Sequence, residues 1–244
     1  MLENIIVTSG GTKEPIDRIR SITNTSTGML GSLIALALAE KESVGKILYV
    51  HGSGAVMPQH EKITAVPAFS TQALLDTATE LCGKYKIDAV VHCMAVSDFR
   101  VRSGISTDIL ENAVRNGGFD INSLFENEDL LKKYNKLPSS AGDPVLLMEK
   151  TPKIMPVFRK LLPDAKIVGF KLLDGVSHEE LVDTAFSLLE KNGCDYVLAN
   201  DYTTVEKGMH EGFLIDRNKK ELRFCGKKAI ADGIAAALTG DDNK

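Results

Sequence analysis

Several stretches of this chain are apolar and rich in β-branched residues without a regular inside-outside alternation: Asn4 to Thr8, Lys46 to His51, Ala89 to Met94, Ile167 to Lys171 and Tyr196 to Asn200. A strand with no polar face must be covered on both sides, which is the situation of a parallel sheet between two helical layers. Segments with helical spacing of apolar residues fall between them. These are Met29 to Glu40, Thr71 to Tyr85 with Thr71 as the cap, and Ser177 to Asn192. The last is opened by Ser177 with Glu180 three residues later, a capping box, and stopped by Gly193. The alternation predicts an α/β fold: a doubly wound, mostly parallel, Rossmann-like sheet with helices on both faces. Crossovers in such a sheet are right-handed and ligands gather at the carboxyl ends of the strands. Ser9 to Asn24, Ala95 to Phe99 and Asn200 to Tyr202 all follow strands and are expected at one rim.

The remaining segments are shorter or less regular. Ile63 to Pro67 is a short apolar run, Pro144 to Glu149 a short strand, and Thr151-Pro152 a helix start with Pro at the first position, leading Lys153 to Leu162. Gly212 to Asp216 and Glu221 to Gly226 read as a C-terminal β-hairpin, and Lys228 to Leu238 as a terminal helix. From about residue 100 to 143 the chain is polar and Gly- and Asn-rich, with helical candidates at Ile109 to Val114 and Leu130 to Tyr134. A long irregular insert directly after a strand end suits a flap or lid over a site. The expected organisation is one nucleotide-binding domain over residues 1–244 that carries this insert.

The 244 residues, 43% hydrophobic, suffice for one sizeable core, burying roughly 70 to 75% of the unfolded surface. A net charge of -4 argues against a nucleic-acid partner, which asks for a basic face. The four cysteines, Cys82, Cys93, Cys194 and Cys225, show no CxxC pair and no zinc spacing, and for Cys93 and Cys194, in or beside apolar runs, a buried inert thiol is the expected state. Neither a leader at Met1 to Asn4 nor an apolar run of bilayer length is seen, so a cytoplasmic location and no membrane partner are expected.

The function is carried by the stretch from Val7 to Gly31. It leaves the first strand at Gly10-Gly11, stays polar through Thr12-Lys13-Glu14-Pro15-Ile16-Asp17-Arg18-Ile19-Arg20, and enters a helix after Asn24-Thr25-Ser26-Thr27-Gly28. Glycines after a first strand let backbone N-H groups approach a phosphate, and a helix start near Ser26 to Gly28 offers further donors and a positive dipole end. Two anion-friendly sites in one loop suggest a phosphate-bearing ligand. The spacing is neither GxGxxG nor a P-loop. Gly10-Gly11-Thr12, Glu14-Pro15-Ile16-Asp17, Arg20, Ile22, Asn24, Ser26, Gly28 and Gly31 instead stand as in the GGTxEPIDxVRxIxNxSxGxxG signature of phosphopantothenate-cysteine ligases, and the chain resembles that family. The likeness continues in Ala95-Val96-Ser97-Asp98-Phe99, Lys136-Leu137, Thr151-Pro152-Lys153-Ile154, Val168-Gly169-Phe170-Lys171 and Ala199-Asn200-Asp201. It leaves out the insert from Arg100 to Asn135, and with no flavin-binding decarboxylase segment in front, a stand-alone bacterial form is expected.

The resemblance implies an amide synthesis in coenzyme A assembly. The carboxylate of 4'-phosphopantothenate attacks the α-phosphate of a nucleoside triphosphate, and the amine of L-cysteine then displaces the nucleotide from the acyl-nucleotidylate. CTP is favoured and ATP remains open, with Mg²⁺ as cofactor and a homodimer as the assembly. By resemblance, Asn24 holds the activated acyl group, where its amide N-H can donate to the carbonyl oxygen as charge develops. Lys136 is a flap lysine closing over the nucleotide phosphates. Gly10, Gly11, Ser26, Gly28, Met94, Asp98, Pro152, Lys153, Ile154 and Phe170 line the nucleotide, Asp98 through the ribose or the metal and Phe170 near the base. Arg20, Asn24 and Asn200 are assigned to the substrate, with Arg20 or a lysine of a partner subunit as the holder of its phosphate.

Some positions depart from the common bacterial pattern. Lys153 replaces an Asp, Leu173-Asp174 replaces Glu-Thr, Pro138-Ser139 interrupts a lysine-rich flap, Leu188 lies near a position that often carries a lysine, and Met94 replaces a small residue. Pro152-Lys153, Ser139-Ser140 and Phe170-Lys171-Leu172 look closer to the ATP-using eukaryotic version. The other classes open to such a chain are a nicotinamide-dependent reductase and a non-catalytic nucleotide-binding protein. Against the reductase, Tyr49-Val50-His51-Gly52 offers no acid for a ribose diol.

Overall fold

The computed structural model of the protein describes residues 1–206 and 209–241. From the N-terminus the chain forms β1 (Leu2–Ser9), the small hairpin β2 (Lys13–Pro15) and β3 (Ser21–Thr23), α1 (Met29–Ala39), β4 (Val44–His51), β5 (Ile63–Pro67), α2 (Thr71–Lys84) and β6 (Ala89–His92). It then makes β7 (Phe99–Ser106), α3 (Thr107–Arg115), α4 (Ile121–Asn127), α5 (Leu130–Lys133) and β8 (Pro144–Lys150). The last part holds α6 (Ile154–Leu161), β9 (Lys166–Leu173), α7 (His178–Asn192), β10 (Tyr196–Asp201), α8 (Tyr202–Glu206), β11 (Glu211–Asp216), β12 (Glu221–Cys225) and α9 (Lys227–Thr239).

The main sheet has the order β12-β11-β10-β9-β6-β1-β4-β5. Strands β10, β9, β6, β1, β4 and β5 pair in parallel in that order, and β11 and β12 add antiparallel at one edge. The alternating side chains of each strand serve two cores. Ile6, Val90 and Ile167 face α2, α6 and α7, with Phe158, Leu181 and Ala185. Ile5, Val7 and Val91 face α1 and α9, with Ile34, Leu38, Ile234 and Leu238. The doubly wound α/β expectation is met, and the C-terminal hairpin turns out to extend the sheet beyond β10.

Helix ends follow local chemistry. The Ser177 hydroxyl accepts from the Glu180 N-H (3.2 Å) and Gly193 closes α7 in a left-handed conformation. Three boundaries differ from the sequence reading. The cap of α2 is Ser70, whose hydroxyl accepts from the Ala73 N-H, because Thr71 is turned toward Glu14. Pro152 lies outside α6, which starts at Ile154 after Lys153, since Thr151 is bonded to the loop between β6 and β7. Strand β6 ends at His92, and the Met94 N-H turns to the Thr8 hydroxyl (3.2 Å).

Residues 99–150 are a second correction, because most of this insert is regular. Strands β7 and β8 pair antiparallel from Phe99↔Lys150 to Ser106↔Pro144, with an irregularity between Val101 and Ser103. Ser106, Asp120 and Asp129 cap the three short helices hung on this ribbon. Ile105, Phe125 and Leu130 are buried. Asp129 accepts from the Gly104 and Leu131 N-H groups (3.0 Å each), and the Ser103 hydroxyl donates to the Phe125 oxygen (2.7 Å). The segment forms an arm with a small interior of its own.

Candidate active site

The winding of the sheet reverses at β1. From it the chain builds outward to β4 and β5 on one side and then to β6 on the other, leaving a crevice at the carboxyl ends of β1 and β6. The loops after β1, β4 and β6 meet there. The Ala95 N-H donates to the Gly10 oxygen (2.8 Å), the Thr12 N-H donates to the Ala95 oxygen (3.1 Å), and the Gly52 N-H donates to the Ser9 oxygen (2.9 Å). Asn24 closes the seam, its side-chain amide donating to the Ala95 oxygen at 3.2 Å. An amide nitrogen carries two protons. One is spent on Ala95, and the exposed side chain leaves the other for a ligand.

The glycines of this loop are set by close approach. Gly10 has φ +82, and a Cβ on it would lie 2.8 Å from the Ala55 Cβ; one on Gly11 would lie 2.7 Å from the Asn24 oxygen. Gly28 starts α1 with φ +72, and the Ser9 hydroxyl donates to its oxygen at 2.9 Å. Ser26 is half-buried beside it, its hydroxyl accepting from the Gly28 N-H at 3.4 Å. Gly10, Gly11, Ser26, Gly28 and Asn24 are thus brought together.

Three residues of the same string hold the loop, and sequence reasoning had assigned them no role. Thr12 is fully buried, and its hydroxyl accepts from the Ser97 N-H at 2.9 Å, tying the β1 loop to the β6 loop. Glu14 is 2% exposed; one oxygen accepts from the N-H (2.9 Å) and the hydroxyl (2.6 Å) of Thr71 at the start of α2. Asp17 accepts from the Arg20 and Ile19 N-H groups (2.8 Å each), which hold its carboxyl below the usual range. Two acids and a threonine inside an otherwise loop-like string were the available signal.

On the other side of the seam, Asp98 faces Lys153 at 2.5 Å, both side chains largely exposed. The Thr151 hydroxyl donates to the Ser97 oxygen (2.5 Å) and the Thr151 N-H to the Asp98 oxygen (3.0 Å), so the loops entering and leaving the arm are stitched together. Pro152 is half-buried, but Ile154 and Met94 belong to the core, 3% and 6% exposed. Their side chains serve packing. Phe170 is half-buried against the opposite core, and half-buried Asn200 precedes Asp201 at the end of β10. Asp201 binds the Gly175, Val176 and Thr203 N-H groups and the Thr203 hydroxyl. The hydroxyl bond first, then the N-H bonds, lower its carboxyl to about 2. Arg20 is engaged by Asp17 (3.2 Å) and by the Leu137 oxygen (3.2 Å), while Lys136 is exposed on the arm.

Beneath the crevice, the His92 Nδ1 lies 2.8 Å from the Thr8 hydroxyl, and burial pushes the ring down to about 4, so it is neutral near pH 7. Burial raises the Cys93 thiol to about 12 and the Cys82 and Cys194 thiols to about 11, which leaves them unreactive as nucleophiles. Asp98, the residue expected to meet Mg²⁺, is paired with the Lys153 ammonium, and no cluster of three or more His, Cys, Asp or Glu side chains occurs among the described residues.

Residues 2–141 match the DNA/pantothenate metabolism flavoprotein C-terminal domain. The coenzyme A biosynthesis bifunctional protein CoaBC of Thermococcus kodakarensis is 30% identical over 95% of this chain and 50% of that protein. The chain thus spans about half the length of the curated relatives it matches. A crystal structure of the DNA/pantothenate metabolism flavoprotein from Streptococcus pneumoniae superposes with a TM-score of 0.84 at 28% identity, covering 99% of this chain and all of that one. A Cab2 mutant in complex with phosphopantothenate-cysteine shares the fold, with a TM-score of 0.67 at 15% identity over 98% of this chain and 86% of that one. The resemblance read from Gly10 to Gly31 is borne out at the level of family. The chain belongs to the family of the DNA/pantothenate metabolism flavoprotein C-terminal domain.

Proposed function

We propose that this chain is a ligase of coenzyme A biosynthesis that joins 4'-phosphopantothenate to L-cysteine through an acyl-nucleotidylate. The observation that carries this reading is the Asn24 amide, oriented by Ala95 at the seam of the β1 and β6 loops, where the sheet presents its ligand crevice. Amine attack on an acyl-nucleotidylate builds negative charge on the carbonyl oxygen, and a fixed N-H donor stabilises that oxyanion. The Gly10-Gly11 turn and the start of α1 at Gly28 supply the backbone that approaches the nucleotide, and the Asp98–Lys153 pair stands at its ribose and phosphate end. Lys136, on the arm, brings a positive charge toward the phosphates.

The triphosphate brings its own divalent ion, because Asp98 alone is too little to hold one; bound there, Mg²⁺ would neutralise phosphate charge. CTP is the favoured nucleotide, with ATP second, and a cytoplasmic homodimer is the expected assembly. The reductase alternative loses ground, since β4 runs into His51 and Gly52 with no acid at its end. The test is pyrophosphate release with 4'-phosphopantothenate and Mg²⁺, comparing CTP and ATP, with and without L-cysteine. Release that requires phosphopantothenate, and an amide product once cysteine is added, supports the ligase. Nucleotide binding without release would leave a non-catalytic binder.

A further inference from the structure

The tip of the β2–β3 hairpin grips the arm by its main chain. The Arg18 N-H donates to the Asn135 oxygen at 3.2 Å. The Leu137 N-H donates to Asp17 Oδ2 at 3.1 Å, and Arg20 Nη1 donates to the Leu137 oxygen at 3.2 Å. Asp17 and Arg20 are themselves paired at 3.2 Å, and the Asp17 side chain is only 1% exposed. Both polar groups of the Leu137 backbone are therefore satisfied by one ion pair some 120 residues away in sequence. Leu137 is buried, whereas Lys136, held between the two gripped residues, is exposed.

We infer that Asp17 and Arg20 are positioning residues that clasp residues 135–137 and so fix where Lys136 enters the site. What Lys136 touches rests on the ligase reading; the clasp itself does not. An arginine so engaged is a fastener of the arm, a different role from holding the substrate phosphate. The two oxygens of Asp17 divide the work. Oδ1 accepts from the Ile19 and Arg20 N-H groups and shapes the hairpin tip, and Oδ2 takes Leu137 and the Arg20 guanidinium. Asp17→Asn can keep the first set with its remaining oxygen, but it turns an N-H₂ toward the Leu137 N-H, donor against donor.

Amide hydrogen exchange of the full chain tests the clasp. In Asp17→Asn and in Arg20→Gln, exchange at residues 135–137 should rise roughly tenfold while β1 and β6 keep wild-type protection. Arg20→Gln leaves the Asp17 turn bonds in place, so it serves if Asp17→Asn folds poorly. Unchanged exchange at 135–137 in both variants would overturn the clasp, as would an equal rise throughout the chain. For the link to Lys136, the nucleotide KM of Asp17→Asn should rise, and adding Lys136→Met should raise it little further. Fully additive effects would overturn that link. If the chain shows no ligase turnover, the exchange measurement still decides the clasp.

Discussion

The Asn24 side chain donates to the main-chain oxygen of Ala95, 71 residues further on, and thereby fastens the loop after β1 to the loop after β6. Replacement by Asp puts a carboxylate against that oxygen and removes the second N-H from the crevice. Asn24→Asp should leave pyrophosphate release largely intact and stall amide formation. The check is quantitation of both products in single-turnover reactions; amide formation at the wild-type rate would refute the role.

Lys153 sits at 2.5 Å from Asp98 with both side chains solvated, so the pair does little for folding. Its contribution should appear in nucleotide binding. Lys153→Met should raise the nucleotide KM by roughly two- to fivefold, the scale of an exposed charge contact, with kcat and Tm nearly unchanged. Steady-state kinetics at two ionic strengths tests this, because the wild-type advantage should shrink with salt.

Glu14 is buried with an oxygen shared by the N-H and hydroxyl of Thr71. Glu14→Ala leaves the buried Thr71 N-H without its acceptor and the Thr71 hydroxyl with only the Thr12 hydroxyl at 3.4 Å, and should cost about 1–3 kcal/mol. Denaturant titration measures the loss, and a midpoint equal to wild type would show that the contact contributes nothing.

Asp201 joins the loops after β9 and β10, and its carboxyl is lowered to about 2 by the Thr203 hydroxyl and then by the N-H groups of Val176, Thr203 and Gly175. The folded value lies below that of an unfolded aspartate, about 4. Its stabilisation is therefore complete above the unfolded value and is lost as pH falls through about 2. The urea midpoints of wild type and Asp201→Asn should differ most above about pH 5 and converge as pH drops toward about 2. A difference that stays constant over this range would exclude ionisation of Asp201 as the cause.

What was legible in the sequence was whatever is decided locally or by burial on both faces. The apolar strands and the Ser177 and Gly193 ends of α7 are of that kind, as is the turn between β11 and β12. Strand β7 was not, because Phe-Arg-Val-Arg-Ser-Gly-Ile-Ser has no continuous apolar face and becomes a strand only by pairing with Pro144–Lys150, some forty residues later. The cap of α2 moved from Thr71 to Ser70 because a distant Glu14 claims the Thr71 hydroxyl. At the site, the string from Gly10 to Gly31 pointed to the crevice, but it did not divide residues that face it from residues that hold it. Thr12, Glu14, Asp17 and Arg20 are bonded within the protein, and nothing in their spacing reveals those remote partners.

The stitching of Thr151 to Ser97 and Asp98 has a bearing on how such a molecule can change over generations. Phe99 and Lys150 stand side by side at the base of the arm, so a turn of a few residues would rejoin the chain if the arm were deleted. Ile105, Phe125 and Leu130 lie outside both core clusters of the main sheet. Lengthening, shortening or exchanging this appendage is then nearly free of consequence for the sheet, since loop closure changes slowly with length. Selection can rework residues 99–150 for a new ligand while the scaffold beneath stays as it is.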